Sequence, residues 1–298
     1  MTMRSFGLIR QCCNALVRVP LAREKSPVSL PISHLSRSLT TAAEALKITY
    51  DEKSEVATMH LCRKPVNGLS LEFITQISIA LEKLENERSC RGVIISSGCD
   101  NVFCAGLDIN EMLRPTPERL EIFWKTLQDM WLQLFTTRLM TVAAITGHCI
   151  AGGCLISSAC DHRVMAPNFK IGLNEVKLGI VAPFWLVDSV KNLIGYRQTE
   201  WSLMKGHLFS SEDALRLGLV DKVVPQDQVV LQAEADMAEW LQVPDSARHL
   251  SKTLMRRDTV VRFRSGREAD LKTFVNYIPK ESIQKTLHSY VESLKSKK

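Results

Sequence analysis

The chain has 298 residues, 45% of them apolar, enough to bury a large core in one or two domains. It contains no apolar run of the roughly 18 residues that a membrane-spanning helix needs. The formal charge of +6 is concentrated at one end. Residues 1–40 hold six cations (Arg4, Arg10, Arg18, Arg23, Lys25 and Arg37) against Glu24 alone, which leaves +1 for residues 41–298. A basic balance confined to a leader gives no reason to expect a nucleic-acid partner.

That leader is rich in Arg and Ser. Phe6, Ile9, Cys13, Leu16 and Val17 recur at helical spacing, so a helix over residues 3–18 would be apolar on one side. This is the pattern of a mitochondrial transit peptide, with processing expected near Arg37. No continuous apolar segment precedes a small-residue cleavage site, so a secretory signal is not indicated. The nine cysteines form no C-x-x-C pair and the seven histidines no H-x-x-x-H. Buried thiols in a reducing compartment are expected, and no metal site.

After the leader, Leu46–Tyr50 and Val56–Leu61 read as a β-hairpin around the charged turn Asp51–Glu55. Residues 63–68 are a loop punctuated by Pro65 and Gly68. Ser70 is placed to cap a helix whose apolar face carries Ile74, Ile77, Leu81 and Leu84. Gly92–Ser97 is a continuous apolar strand, of the kind found in sheets covered on both faces. The order strand, strand, helix, strand indicates a layered α/β fold. Residues 98–104 read as a loop, and Asp108 can begin a helix. Residues 116–137 form a long helix in which Trp124, Leu127, Trp131 and Leu134 make a core-facing stripe. Val142–Thr146, His162–Met165, Lys170–Gly172 and Asp221–Val224 are further strands. Residues 178–185 read as an irregular apolar wall, and from residue 186 the pattern is mainly helical. The last helix, over 279–296, is amphipathic, with Ile283, Leu287, Tyr290, Val291 and Leu294 apolar. No internal repeat with a sequence period is visible.

The chemistry concentrates between Gly147 and Glu175. Gly152 and Gly153 interrupt an apolar run, and a single carboxylate, Glu175, follows. Paired glycines let backbone N–H groups approach a ligand, and at a helix start those groups suit an anion. Such donors beside one carboxylate suggest enolate chemistry. On these residues alone, a Gly-rich turn beside a surface glutamate is the plainer account. Other site types lack their residues. Gly147 and Gly152 have P-loop spacing, but Gly153-Cys154 replaces the Lys-Ser/Thr. No G-x-G-x-x-G follows a strand, and no G-x-S-x-G occurs.

From about Leu46 onward the chain resembles the crotonase (enoyl-CoA hydratase/isomerase) superfamily. The matching segments are Lys64–Leu69, Val102–Ile109, Gly147–Cys154, Cys160-Asp161 and Asn174-Glu175, in consistent order. The resemblance implies an α/β crotonase-like spiral of ββα units with a C-terminal α-helical region. The expected division is a transit peptide (1–40), an α/β core (41–225) and a helical trimerisation region (226–298). The resemblance also implies an oxyanion hole from the backbone N–H groups of Ala105 and Gly152. Ala105, Gly106, Leu107, Asp108, Ile109, Gly152 and Asn174 would contact a fatty acyl-CoA thioester, and Glu175 would be the catalytic base. The hydratases of this family carry a second glutamate at the position of Leu155, which cannot activate water. The expected function is therefore isomerisation of a 3-enoyl-CoA to a 2-enoyl-CoA in mitochondrial β-oxidation. Another acyl-CoA activity of the family (hydrolysis or dienoyl-CoA isomerisation) and non-catalytic thioester binding are the alternatives. No cofactor is implied; a homotrimer or dimer of trimers in the mitochondrial matrix is. Leu178, Ile180, Val181, Phe184 and Trp185 are either an acyl-chain wall or core packing. Asp108 and Asp161 read as structural.

Overall fold

The structure is a computed structural model that describes residues 45–296. The leader helix and processing site expected within residues 1–40, and the side chain of Leu294, lie outside the described residues. The described residues cluster as one compact unit. The chain opens with the hairpin β1 (Leu46–Asp51) and β2 (Val56–Leu61), whose antiparallel register pairs Leu46 with Leu61 and Asp51 with Val56. Helix α1 (Leu71–Asn86) follows, with the Ser70 hydroxyl accepting the Phe73 N–H as its cap. Then come β3 (Gly92–Ser97), β4 (Val102–Cys104), α2 (Pro117–Thr136), β5 (Met140–Ile145), β6 (His148–Ile150), α3 (Gly152–Ala159), β7 (His162–Met165) and β8 (Lys170–Gly172). The remaining elements are α4 (Phe184–Lys205), β9 (Leu208–Ser210), α5 (Ser211–Leu217), β10 (Lys222–Val223), α6 (Val229–Trp240), α7 (Asp245–Tyr277) and α8 (Glu281–Lys295). Among the described residues, no helix is long and apolar enough to cross a membrane.

The strands form two sheets, ordered β1-β2-β3-β5-β7-β10 and β4-β6-β8-β9. From β3 onward each ββα unit sends its first strand to the large sheet and its second to the small one. The fold therefore repeats although the sequence does not. Residues 98–104, expected as a loop, contain β4. Both β4 and β6 are three residues long and carry too little alternation to be read as strands; they exist because β4 pairs with β6 and β6 with β8.

The apolar runs are explained by burial on both faces of the large sheet. Val93, Ile95, Ala143 and Ile145 face the main core with α1 and α2, whereas Ile94, Val142 and Ala144 face α6 through Ala233 and Met237. Trp131 is fully buried against Trp185, Phe135 and Phe263, with ring centroids 4.9–5.0 Å away. Asp108 does not start an α-helix. It caps a single 3-10 turn, Ile109–Glu111, through the Asn110 N–H.

Asp161 fastens α7 to the sheets. Its carboxylate meets Lys252 Nζ at 2.6 Å and Arg256 at 2.9 Å and accepts the Thr141 N–H, and all three charged side chains are largely buried. Removing the anion would leave two cations without their partner in a region of low polarity. Asp161→Ala should lower the unfolding free energy by about 3–5 kcal/mol in denaturant titration.

Candidate active site

The second sheet organises the site. β4, β6 and β8 are parallel neighbours, so their C-terminal ends lie side by side. The chain leaves those ends through three segments: Ala105–Leu107, Ala151–Gly152 and Leu173–Glu175. Ligand sites of layered α/β folds commonly form at the carboxyl ends of parallel strands. Every residue expected to act thus belongs to one of these segments or to its immediate continuation.

The first two segments touch through missing side chains. A Cβ on Gly153 would lie 2.3 Å from Cys104 O, and one on Gly106 would lie 2.9 Å from Ala151 Cβ and 3.4 Å from Gly152 N. Only glycine permits this approach, and Gly106 also has φ +110°. Ala151 has φ +52°, an uncommon value for a residue with a Cβ, in the turn that starts α3. Gly152, at the first position of that helix, donates to no acceptor among the described residues, as expected of a first-turn amide.

The Ala105 amide does not meet its expectation as an oxyanion donor. It already donates to Val66 O at 3.0 Å. The turn at Gly106 redirects the following amides. Leu69 N donates to Gly106 O and Asp108 N to Leu69 O, while the Leu107 N–H between them has no acceptor among the described residues. In an extended segment successive amides point to opposite sides. Leu107 N–H therefore points away from Leu69, and it replaces Ala105 as the candidate partner of Gly152. No sequence signal distinguished the two, because the choice depends on the Gly106 dihedral.

Glu175 opens a 3-10 turn, Glu175–Leu178, closed by Gly179 at φ +71°. Asn174 immediately precedes that turn and is half-buried. The Glu175 side-chain oxygen Oε2 is buried with no hydrogen-bond partner among the described residues. Burial pushes its carboxyl up to about 7, and the backbone N–H groups of Glu175 and Asn174 offset this only in part. Among the described residues, no charged side chain contributes to the shift. Leu155, in the first turns of α3, is 2% exposed and brings no second carboxylate.

The apolar residues after Glu175 divide. Ile180, Val181 and Phe184 line a cavity of about 790 Å³ that α7 closes with Gly266, Ala269 and Phe274. Trp185 is fully buried and Leu178 packs against the core, so these two are structural. The Ile180 N–H donates to Glu175 O, which places the cavity one turn from the carboxylate-bearing residue.

Two layers of mainly parallel strands, two amides without an acceptor among the described residues at the ends of the second layer, and one desolvated carboxylate fit a crotonase-type site. The description "Enoyl-CoA hydratase/isomerase" matches residues 51–297, and the chain belongs to that family. Mouse "Enoyl-CoA delta isomerase 1, mitochondrial" is 50% identical over 245 residues, covering 82% of this chain and 85% of the mouse protein. The human protein of the same name is 48% identical over 250 residues, covering 83% of each. The crystal structure of human mitochondrial delta3-delta2-enoyl-CoA isomerase superposes with a TM-score of 0.84 at 47% identity, covering 86% of this chain and 100% of that one.

The raised pKa has a consequence for stability. In the folded protein the neutral acid is favoured, so this contribution is full below pH 4.5 and is lost as pH rises through about 7. Glu175→Gln should therefore be more stable than the parent at pH 8–9, by about 2–3 kcal/mol, with the difference closing below about pH 4.5. Thermal unfolding at the two pH values checks this.

Proposed function

We propose that the chain is a Δ3,Δ2-enoyl-CoA isomerase of mitochondrial fatty-acid oxidation, converting 3-cis- or 3-trans-enoyl-CoA to the 2-trans isomer. The observation that carries the reading is a lone, desolvated carboxylate just after β8, with two amides that have no acceptor among the described residues just after the neighbouring strands β4 and β6, and leucine at position 155. The names of the mouse and human relatives and the basic leader support the same reaction and a matrix location. In this reading the thioester oxygen of the acyl-CoA lies between Leu107 N–H and Gly152 N–H. Glu175 removes a proton from C2, the dienolate charge rests on the thioester oxygen, and the same carboxyl returns the proton at C4. Both transfers pass through one group whose pKa is near neutrality, which suits an acid/base that must work in each direction. Hydration would need a second group to activate water, and Leu155 has none to offer.

Residues 105–109 and Asn174 contact the thioester and the CoA arm, and the Ile180–Phe184 cavity takes the acyl tail. The reaction requires no metal or redox cofactor. Residues 226–298 serve assembly as a homotrimer or dimer of trimers. The exposed Leu250, Leu254 and Val261, with Met255, supply an apolar stripe on α7 for that contact.

The experiment is an absorbance assay of the conjugated thioester formed from a 3-enoyl-CoA. Glu175→Gln should lower kcat by about 10²–10⁴-fold. For the parent, kcat/KM should fall tenfold per unit as pH drops below about 7, because the protonated carboxyl cannot accept the C2 proton. Efficient hydration of a 2-enoyl-CoA, or full activity of the glutamine variant, would overturn the reading.

A further inference from the structure

We propose that Arg63 is a positioning residue for the oxyanion site, fixing the aim of the Leu107 amide through its bridge between Gly68 and Asp108. The proposal rests on the acyl-CoA reading given above and adds a residue outside the three strand ends.

Leu107 sits in a short coil beyond β4, between exposed Ala105 and exposed Asn110. Its amide is held indirectly. The flanking groups of residues 106 and 108 bond to the backbone of Leu69, at 2.9 and 3.0 Å. The stiffness of the donor therefore depends on how firmly residues 68–69 are pinned to residues 106–108. Arg63 supplies that pin. One guanidinium nitrogen donates to Gly68 O at 2.6 Å and the other to Asp108 Oδ2 at 2.6 Å. The fork thus spans both sides of the stitched pair. Asp108 is itself fixed from its other oxygen, which accepts the Asn110 backbone and side-chain N–H groups. The pair is partly shielded, with side-chain exposures of 32% and 14%, so water screens it less than a surface ion pair. A planar fork holds two acceptors in fixed geometry; an ammonium does not.

Arg63 need not touch substrate to matter. A donor that drifts from its aim loses little against a neutral carbonyl but much against a developing enolate, where the charge is concentrated. A misplacement of about 1 Å can cost about 10²-fold in rate. Loss of Arg63 should thus appear in kcat, with KM changed little.

The test compares wild type with Arg63→Gln, Arg63→Lys, Asp108→Asn and the double variant Arg63→Gln/Asp108→Asn. The reaction is followed with a 3-enoyl-CoA. Acetoacetyl-CoA serves as a probe whose enolate absorbs when the bound thioester oxygen is stabilised. The expected result is a kcat loss of about tenfold or more for Arg63→Gln with KM within about threefold, and a bound-probe enolisation shifted about one pH unit upward. Arg63→Lys should fall between that variant and wild type. The double variant should lose no more than the single ones, because the two side chains act as a unit. Unchanged kcat and enolate signal in a variant with a lower Tm, or fully additive losses, would overturn the proposal while leaving the acyl-CoA reading intact. A wild-type protein inert toward both thioesters would overturn both.

Discussion

The site depends on the approach of two backbones that no side chain would allow. The end of β4 and the start of α3 meet where Gly153 faces Cys104 O and Gly106 faces Ala151. Two parallel strands bring the segments to the same edge, and the glycines let them close the last few ångströms. The result is a pair of amides, Leu107 and Gly152, with no acceptor among the described residues, on two segments in close contact through Gly106 and Gly152. An unpaired amide is a cost to a fold unless something outside the fold uses it. Their presence together is the physical basis for reading an anionic oxygen into the structure.

The same logic applies to Glu175. A carboxyl group raised toward neutrality by burial, with one oxygen that has no partner among the described residues, destabilises the folded chain in its charged form. It belongs to a short turn rather than to the packed core, and the neighbouring cavity opens one turn further along. The donors and the acceptor left without partners among the described residues are complementary in charge and follow neighbouring strands. In the proposed reaction each has a use: the amides hold the enolate, and the carboxyl carries the proton that made it. Leucine at position 155 then narrows the chemistry, since a general acyl-CoA site without a second carboxylate has nothing to direct at water.

Much of this architecture is legible in the sequence. The hairpin, the Ser70 cap, the long α2 stripe and the strands buried on both faces follow from alternation, capping and apolar runs. The ββα repetition is not legible, because β4 and β6, the second strands of two units, are only three residues long and depend on their neighbours; of the second strands only β8 could be read. The candidate site was readable as a set of residues through family resemblance. Which amide points into it was not. Ala105 and Leu107 differ in role because Gly106 takes φ +110°, a dihedral that residue type permits but does not dictate. Likewise Trp185 and Val181 share an apolar run, but the start of α4 turns the first into the core and leaves the second at the cavity.

The central claim is that one buried carboxyl performs both proton transfers. Its most direct test is the fate of deuterium in a 3-enoyl-CoA labelled at C2, analysed after the first turnovers. The account predicts that part of the 2-enoyl product carries deuterium at C4, delivered by the group that removed it from C2. Product whose new C4 hydrogen comes entirely from solvent, with the same rate in Glu175→Gln, would contradict it.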